Sequence, residues 1–291
     1  YLVKLAMDRE TSPAVERELE RVSGSAMGPA VTALLAYGKQ NLEKAGCVTV
    51  QTQIHDGLRL VGSYYHRNDG AMLHIQFHGY RGSAERDMSG GVHRCFKVRR
   101  SALVVEQRCS HGSEGNTITF GINEAKDCRS WVDFMVRYFG EDVRILLTGV
   151  SMGAATVLMA ATEPLPSNVK GILADCGYSS ARDIIQIVIR KMGLPVTLSY
   201  PFVKLGAKLY GGFDLEESSS SEMLKHCTVP VIFFHGDTDD FVPCDMSRLL
   251  HQKCHATKKL VIVPGAGHGL SFPAAQEEYI RQARDFFHPE N

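Results

Sequence analysis

No stretch of this 291-residue chain approaches the ~18 consecutive apolar residues of a membrane-spanning helix. No charged-then-apolar leader with a small-residue cleavage site opens it either. The chain begins at Tyr1 without a methionine. The expected setting is therefore the cytoplasm, with tethering through a missing N-terminal anchor or leader as the alternative. An excess of charge of either sign is also lacking, since 32 Lys and Arg face 32 Asp and Glu. No net field draws in a polyanion, so neither nucleic acid nor an anionic membrane surface is an expected partner. The eight cysteines include no C-x-x-C pair, which excludes a zinc ribbon and a thioredoxin-like motif. A chain of this size needs no disulfide staples, and reduced thiols are expected. There is no internal repeat, and Ser218–Ser221 is the one low-complexity patch. With 44% hydrophobic and 22% charged residues, neither a disordered nor a fibrous chain is expected.

What is present is an alternation of short and long apolar patterns. Residues 1–45 read as a helical arm: Ser12-Pro13 with Glu16 suits a helix start, and Val31, Leu34, Leu35 and Leu42 recur at helical spacing. Two β-like stretches follow, 47–54 and 58–66, around the hairpin signal Asp56-Gly57. Strand-like runs at 72–77, 102–105 and 143–147 then alternate with helical patterns at 85–100, 122–139 and 152–161. Further strands fall at 169–174, 229–234 and 260–263, and a helix closes the chain from about 274 to 287. Such alternation predicts βαβ units around a mostly parallel sheet of about eight strands, flanked by helices. The segment 177–228 is longer than a plain crossover and predicts a small helical lid over the sheet's C-terminal edge. The main domain is thus expected over 46–291, as one unit.

Chemistry concentrates at the ends of the predicted strands. Gly149-Val150-Ser151-Met152-Gly153 lies between a strand and an apolar helix, the context in which G-x-S-x-G forms a turn tight enough to expose a serine. A serine hydroxyl is a weak nucleophile at neutral pH and needs a histidine base, which in turn needs a carboxylate to fix its tautomer. After the seventh strand come Asp237, Asp239 and Asp240, and after the eighth comes His268 within Gly265-Ala266-Gly267-His268-Gly269. His251, Cys254 and His255 have helical spacing that could hold a transition metal, but their Lys-rich surroundings suit a solvated helix face. No metal or other cofactor is expected.

The order Ser, Asp, His resembles that of the α/β-hydrolases. The resemblance covers nearly the whole chain and is strongest toward bacterial serine hydrolases with an F-H-G-Y-R-G segment, here Phe77 to Gly82. Glu106-Gln107-Arg108 stands where such proteins often have Asp-Gln-Arg. Their H-G-x-x-D-x-x-V-P pattern falls on His235, Gly236, Asp239, Val242 and Pro243. The resemblance implies Ser151 as nucleophile, His268 as base and Asp239 as its orienting acid. It also implies an oxyanion hole from the backbone N–H groups of Met152 and Tyr80. Tyr80, Arg81, Tyr178, Phe241 and Leu270 are candidate substrate contacts. His78 is expected to support the oxyanion turn, and Arg81, Arg86 and Asp87 to brace one another. The expected reaction is cleavage of small to medium carboxylic esters, the partner being a small ester substrate. A prolyl-oligopeptidase-like peptidase, which normally carries a propeller for which this chain has no space, is an alternative. So is a thioesterase or lipid acyl hydrolase, with Ile184 to Ile189 either walling a pocket or packing a lid helix. A non-catalytic receptor is the remaining reading, and an oligomer is possible.

Overall fold

The structure, a computed structural model, describes residue 40, residues 42–162 and residues 164–287. Most of the arm expected over 1–45 lies outside the described residues. Within them, 42–45 are helical, and Leu42 packs against Tyr65 and Met88.

The expected strand series is realised as β1 (Val48–Gln53), β2 (Arg59–Tyr65), β3 (Leu73–Phe77), β4 (Ser101–Glu106), β5 (Ile145–Val150), β6 (Val169–Asp175), β7 (Val231–Gly236) and β8 (Lys258–Val263). They form one sheet in the order β1-β2-β4-β3-β5-β6-β7-β8. β2 pairs antiparallel with both β1 and β4, and β3 to β8 run parallel. The helices are α1 (Ala84–Lys97), α2 (Ile122–Phe139), α3 (Met152–Met159), α4 (Ala181–Lys191), α5 (Val196–Gly206), α6 (Ser220–Met223), α7 (Cys244–Lys253), α8 (Ser271–Ala274) and α9 (Gln276–Phe287).

The central strands are buried on both faces, as covered parallel sheets are. Alternation along them sorts the core. Ile75, Phe77, Leu103 and Val105 share the main core cluster with Trp131 and Met135 of α2, and Phe233 lies in the same cluster, edge on to His251 of α7. Ala102 and Val104 face α1, while Leu173, Ile232 and Phe234 face α9, where Phe234 stacks on Tyr279. His74 and Gln76, on the α1 face, are paired inside the protein, His74 with Arg100 and Gln76 with Cys95. Cys95 and the other seven cysteines are free thiols.

Between β6 and β7 lies the helical lid, α4 to α6, with a π-helical turn at Ala207–Gly211. Ile184, Ile185 and Ile189 are buried against the main core, so that apolar run is the inner face of α4. No helix among the described residues is long and apolar enough to cross a membrane.

Candidate active site

The parallel strands end on one edge, and a covered sheet leaves its loops there free to build a site. Ser151 sits between β5 and α3 with φ 55 and ψ −117, a left-side backbone conformation held by its surroundings. Its N–H donates to the Asp175 carbonyl at 2.9 Å. The flanking glycines are required by space. A Cβ on Gly149 would stand 2.1 Å from the Gly153 carbonyl oxygen, and one on Gly153 would stand 2.0 Å from the Phe77 carbonyl oxygen. The turn therefore closes against β3 only with hydrogen at both positions.

The Ser151 Oγ lies 2.8 Å from His268 Nε2, and His268 Nδ1 lies 2.8 Å from Asp239 Oδ2. The Asp239 carboxylate cannot donate, so Nδ1 carries the imidazole proton and Nε2 presents its lone pair to the serine hydroxyl. Asp239 is itself fixed: its Oδ1 accepts from the N–H groups of Phe241 at 2.9 Å and Val242 at 2.8 Å. His235 Nε2 faces two acceptors, Val242 O at 2.9 Å and Asp239 Oδ2 at 3.2 Å, so it is the protonated nitrogen, while Ser247 Oγ meets Nδ1 at 2.6 Å. Burial acts to raise the Asp239 carboxyl, but the hydrogen bonds from His235 and His268 outweigh it and hold the group well below the usual carboxylate range. Burial pulls His235 down, and the Asp239 carboxylate, the Val242 carbonyl and Asp175 together more than offset this, leaving it raised.

Asp237, another of the three acids, ties the loops together, its Oδ1 accepting from Gly265 N–H at 2.6 Å. Lys191 reaches from the end of α4 to the Asp240 carbonyl and stands over the Phe241 ring. Phe241 in turn lies 5.1 Å from the His268 ring, edge on.

The loop after β3 is braced from beneath. His78 is buried, its Nδ1 2.8 Å from the Gly79 carbonyl and its Nε2 3.2 Å from the Gln107 N–H. The backbone donor fixes Nε2 as acceptor, so Nδ1 donates to Gly79. Arg86 pairs with Asp87 at 2.6 Å and donates to the Arg81 carbonyl. Tyr80 stacks on Phe120, with the Arg81 guanidinium over its ring, and burial pushes its hydroxyl up to about 12.

Other expected contacts sit differently. Tyr178 is buried and spends its hydroxyl on the Phe120 carbonyl at 3.0 Å, so it stiffens the wall from behind and is not open to a substrate. Leu270 packs with the α9 core. A cavity of about 230 Å³ opens beside Met152 instead, lined by Arg81, Gly82, Cys109, His111 and Ile118. The loop after β4, which lines this cavity, was not among the expected contacts, although Glu106-Gln107-Arg108 at a strand's C-terminal end marked it. Asp175 was missed as well: its carbonyl holds the Ser151 N–H, and its carboxylate accepts from Ser271 Oγ at 2.7 Å, fastening the far end of the His268 loop.

His251 lies edge on to Phe233 and Cys254 is fully buried. The one His, Cys and carboxylate cluster among the described residues that could surround a cation is Cys176, Asp239 and His268, with ligand atoms within 4.8 Å of one another. A cation there would have to break the Asp239–His268 bond. Burial also pushes the Cys176 thiol up, away from the thiolate a metal needs.

This sheet, with its serine on a tight strand-to-helix turn, has the α/β-hydrolase fold. Solved structures share the fold. The esterase Pf2001 of Pyrococcus furiosus is 21% identical, with a TM-score of 0.69 over 84% of this chain and 92% of that one. The esterase of Exiguobacterium antarcticum is 14% identical, with a TM-score of 0.60 over 82% and 98%. The acylaminoacyl peptidase of Pyrococcus horikoshii is 18% identical, with a TM-score of 0.59 over 86% of this chain and 43% of that one. The sequence pattern of the prolyl oligopeptidase family matches residues 117–290, more than half of the chain, and the chain belongs to that family. It is also 25% identical over 196 residues to the uncharacterized protein YqkD of Bacillus subtilis, and spans 64% of that relative's length.

Proposed function

We propose that the protein cleaves small to medium carboxylic esters through an acyl-serine intermediate. The observation that carries this reading is the continuous hydrogen-bonded line from Ser151 Oγ through His268 to Asp239, both links 2.8 Å. Ser151 Oγ bonds to the ester carbonyl carbon as its proton passes to His268 Nε2. The imidazolium that forms is stabilised by the ionised Asp239. Charge developing on the carbonyl oxygen is met by the N–H groups of Met152 and Tyr80, the former at the start of α3. Collapse expels the alcohol, which takes the His268 proton. Water then gives a proton to His268 and its oxygen to the acyl carbon, releasing the acid and restoring Ser151.

The small cavity beside Met152 and the esterases among the similar structures favour an ester of limited size. Family membership and the likeness to an acylaminoacyl peptidase favour a second reading, in which the same groups cleave an amide. A series of p-nitrophenyl esters set against aminoacyl p-nitroanilides decides between them. Each methylene that enters the cavity is worth roughly 0.8 kcal/mol, so kcat/KM should climb from acetyl to about butyryl or hexanoyl and then fall. A steady climb to palmitoyl would contradict a short acyl site, and a preference for the anilides would move the protein to the peptidase reading.

A further inference from the structure

Of the eleven strongly exposed large apolar side chains among the described residues, seven fall between residues 192 and 210. Isolated apolar groups are ordinary on a protein surface, but a gathering of this kind marks a contact face. Met192, Leu198, Phe202, Leu205, Leu209 and Tyr210 are between 51% and 79% exposed. On α5 and the π-turn that continues it, positions 198, 202, 205 and 209 follow the steps of four, three and four that keep side chains on one helical face. The opposite face is satisfied internally: Tyr200 is buried and donates to Glu216, which also holds Lys204.

The unanswered charge on this segment is positive, since of its cations Lys204 alone has an ion pair among the described residues, to Asp214 and Glu216 just beyond it. From residue 190 to residue 212 the charged side chains are Arg190, Lys191, Lys204 and Lys208, with no acid among them. Arg190 and Lys208 are exposed at the two ends of the apolar stripe. The zero net charge of the chain conceals this local separation. An apolar stripe with aromatic members and cations at its rim fits a lipid surface, where apolar groups enter the acyl boundary and cations meet anionic headgroups. A second copy fits less well. A twofold contact through this face would set Arg190 and Lys208 against cations, the nearby acids Asp214 and Glu216 being already paired with Lys204.

We infer that the lid face formed by α5 and the following turn docks the protein on an anionic lipid surface. The face adjoins the candidate active site, because Lys191, at its near end, reaches the Asp240 carbonyl and covers Phe241 beside His268. Docking would bring the mouth of the site to the membrane. Cleavage of an ester dissolved there rests on the reading above, but the docking itself does not.

The test is sedimentation of the full chain with phosphatidylcholine vesicles, with and without phosphatidylglycerol. The wild type should partition onto the anionic vesicles about tenfold or more better than onto the neutral ones. The pair Phe202→Asp and Leu209→Asp should lose binding to both. The pair Arg190→Glu and Lys208→Glu should lose the preference for phosphatidylglycerol. All of these positions are exposed, and thermal melts of the variants verify folding; Leu198→Ser with Tyr210→Ser is the milder substitute. Ser151→Ala should bind like the wild type, so failure of the ester reading and failure of docking are separable. Absence of wild-type binding to anionic vesicles, or undiminished binding by the Asp variants, would overturn the inference. So would a wild-type dimer in light scattering that Phe202→Asp dissolves and vesicles do not displace, since a second copy would then own the face.

Discussion

The loops at the C-terminal edge of the sheet hold polar side chains in the interior, while the lid across from them holds apolar side chains in water. Around Ser151 the groups constrain one another: Asp239 is fixed by two backbone N–H groups and two imidazoles, and Asp175 touches both the serine turn and the His268 loop. On α5 the outer face is largely exposed, although its inner face is anchored through Tyr200. Substitutions at the edge should therefore register in chemistry, where geometry is shared by many partners. Substitutions on the lid face should leave both chemistry and folding nearly untouched, because surface changes without partners are energetically small.

The largest break in this comparison comes from Ser151→Ala, which should lower kcat/KM for p-nitrophenyl butyrate by about ten-thousand-fold or more with the melting temperature little changed. Full retention of activity would remove Ser151 from the mechanism. Asp239→Asn comes next, with a loss of about a thousand- to ten-thousand-fold, since an amide at that position permits the wrong histidine tautomer. Asp237→Asn should act more mildly, because Asp237 braces the His268 loop through Gly265 and does not touch the imidazole. The reverse ranking would exchange the two acids.

The sheet edge should also set how stability depends on pH. Asp239 lies below its ordinary 3.8 in the folded protein, so its contribution is fully present above that value and is lost as pH falls through the lower folded value. His235 lies above its ordinary 6.5, so its contribution is complete below that value and fades as pH rises through the folded one. Urea midpoints should accordingly decline above about pH 6.5 in the wild type and decline less in Asp239→Asn, which removes the carboxylate that raises His235. Equal slopes in the two proteins would dissolve the proposed coupling. The smallest effect belongs to the lid: Leu198→Asp should change stability by no more than about 0.5 kcal/mol, and kcat/KM for the same soluble ester should stay close to wild type. A large loss would show that the face packs against something in the free protein.

Much of the sheet edge was legible because its signals are local. The turn at Ser151 needs two glycines within five residues, and Asp239 and His268 each follow a recognisable strand within a short pattern. Helix Ile122–Phe139 emerges with the boundaries its periodicity predicts. What stayed hidden depends on distance along the chain or on which side of a helix meets water. The Asp175–Ser271 bond joins residues 96 positions apart, and the cavity beside Met152 needs the β4 loop to fold across it. The stripes on α4 and α5 look alike in sequence, yet Ile184, Ile185 and Ile189 are buried while Leu198, Phe202 and Leu205 are exposed. Apolar periodicity states that a face exists, not what covers it.

The proposed mechanism makes Ser151 the nucleophile activated by His268. Labelling with a fluorophosphonate, followed by peptide mass spectrometry, tests it most directly. A single adduct on Ser151 is expected, absent in Ser151→Ala and strongly slowed in His268→Ala. An adduct on another residue, or no adduct on folded wild-type protein, would contradict it.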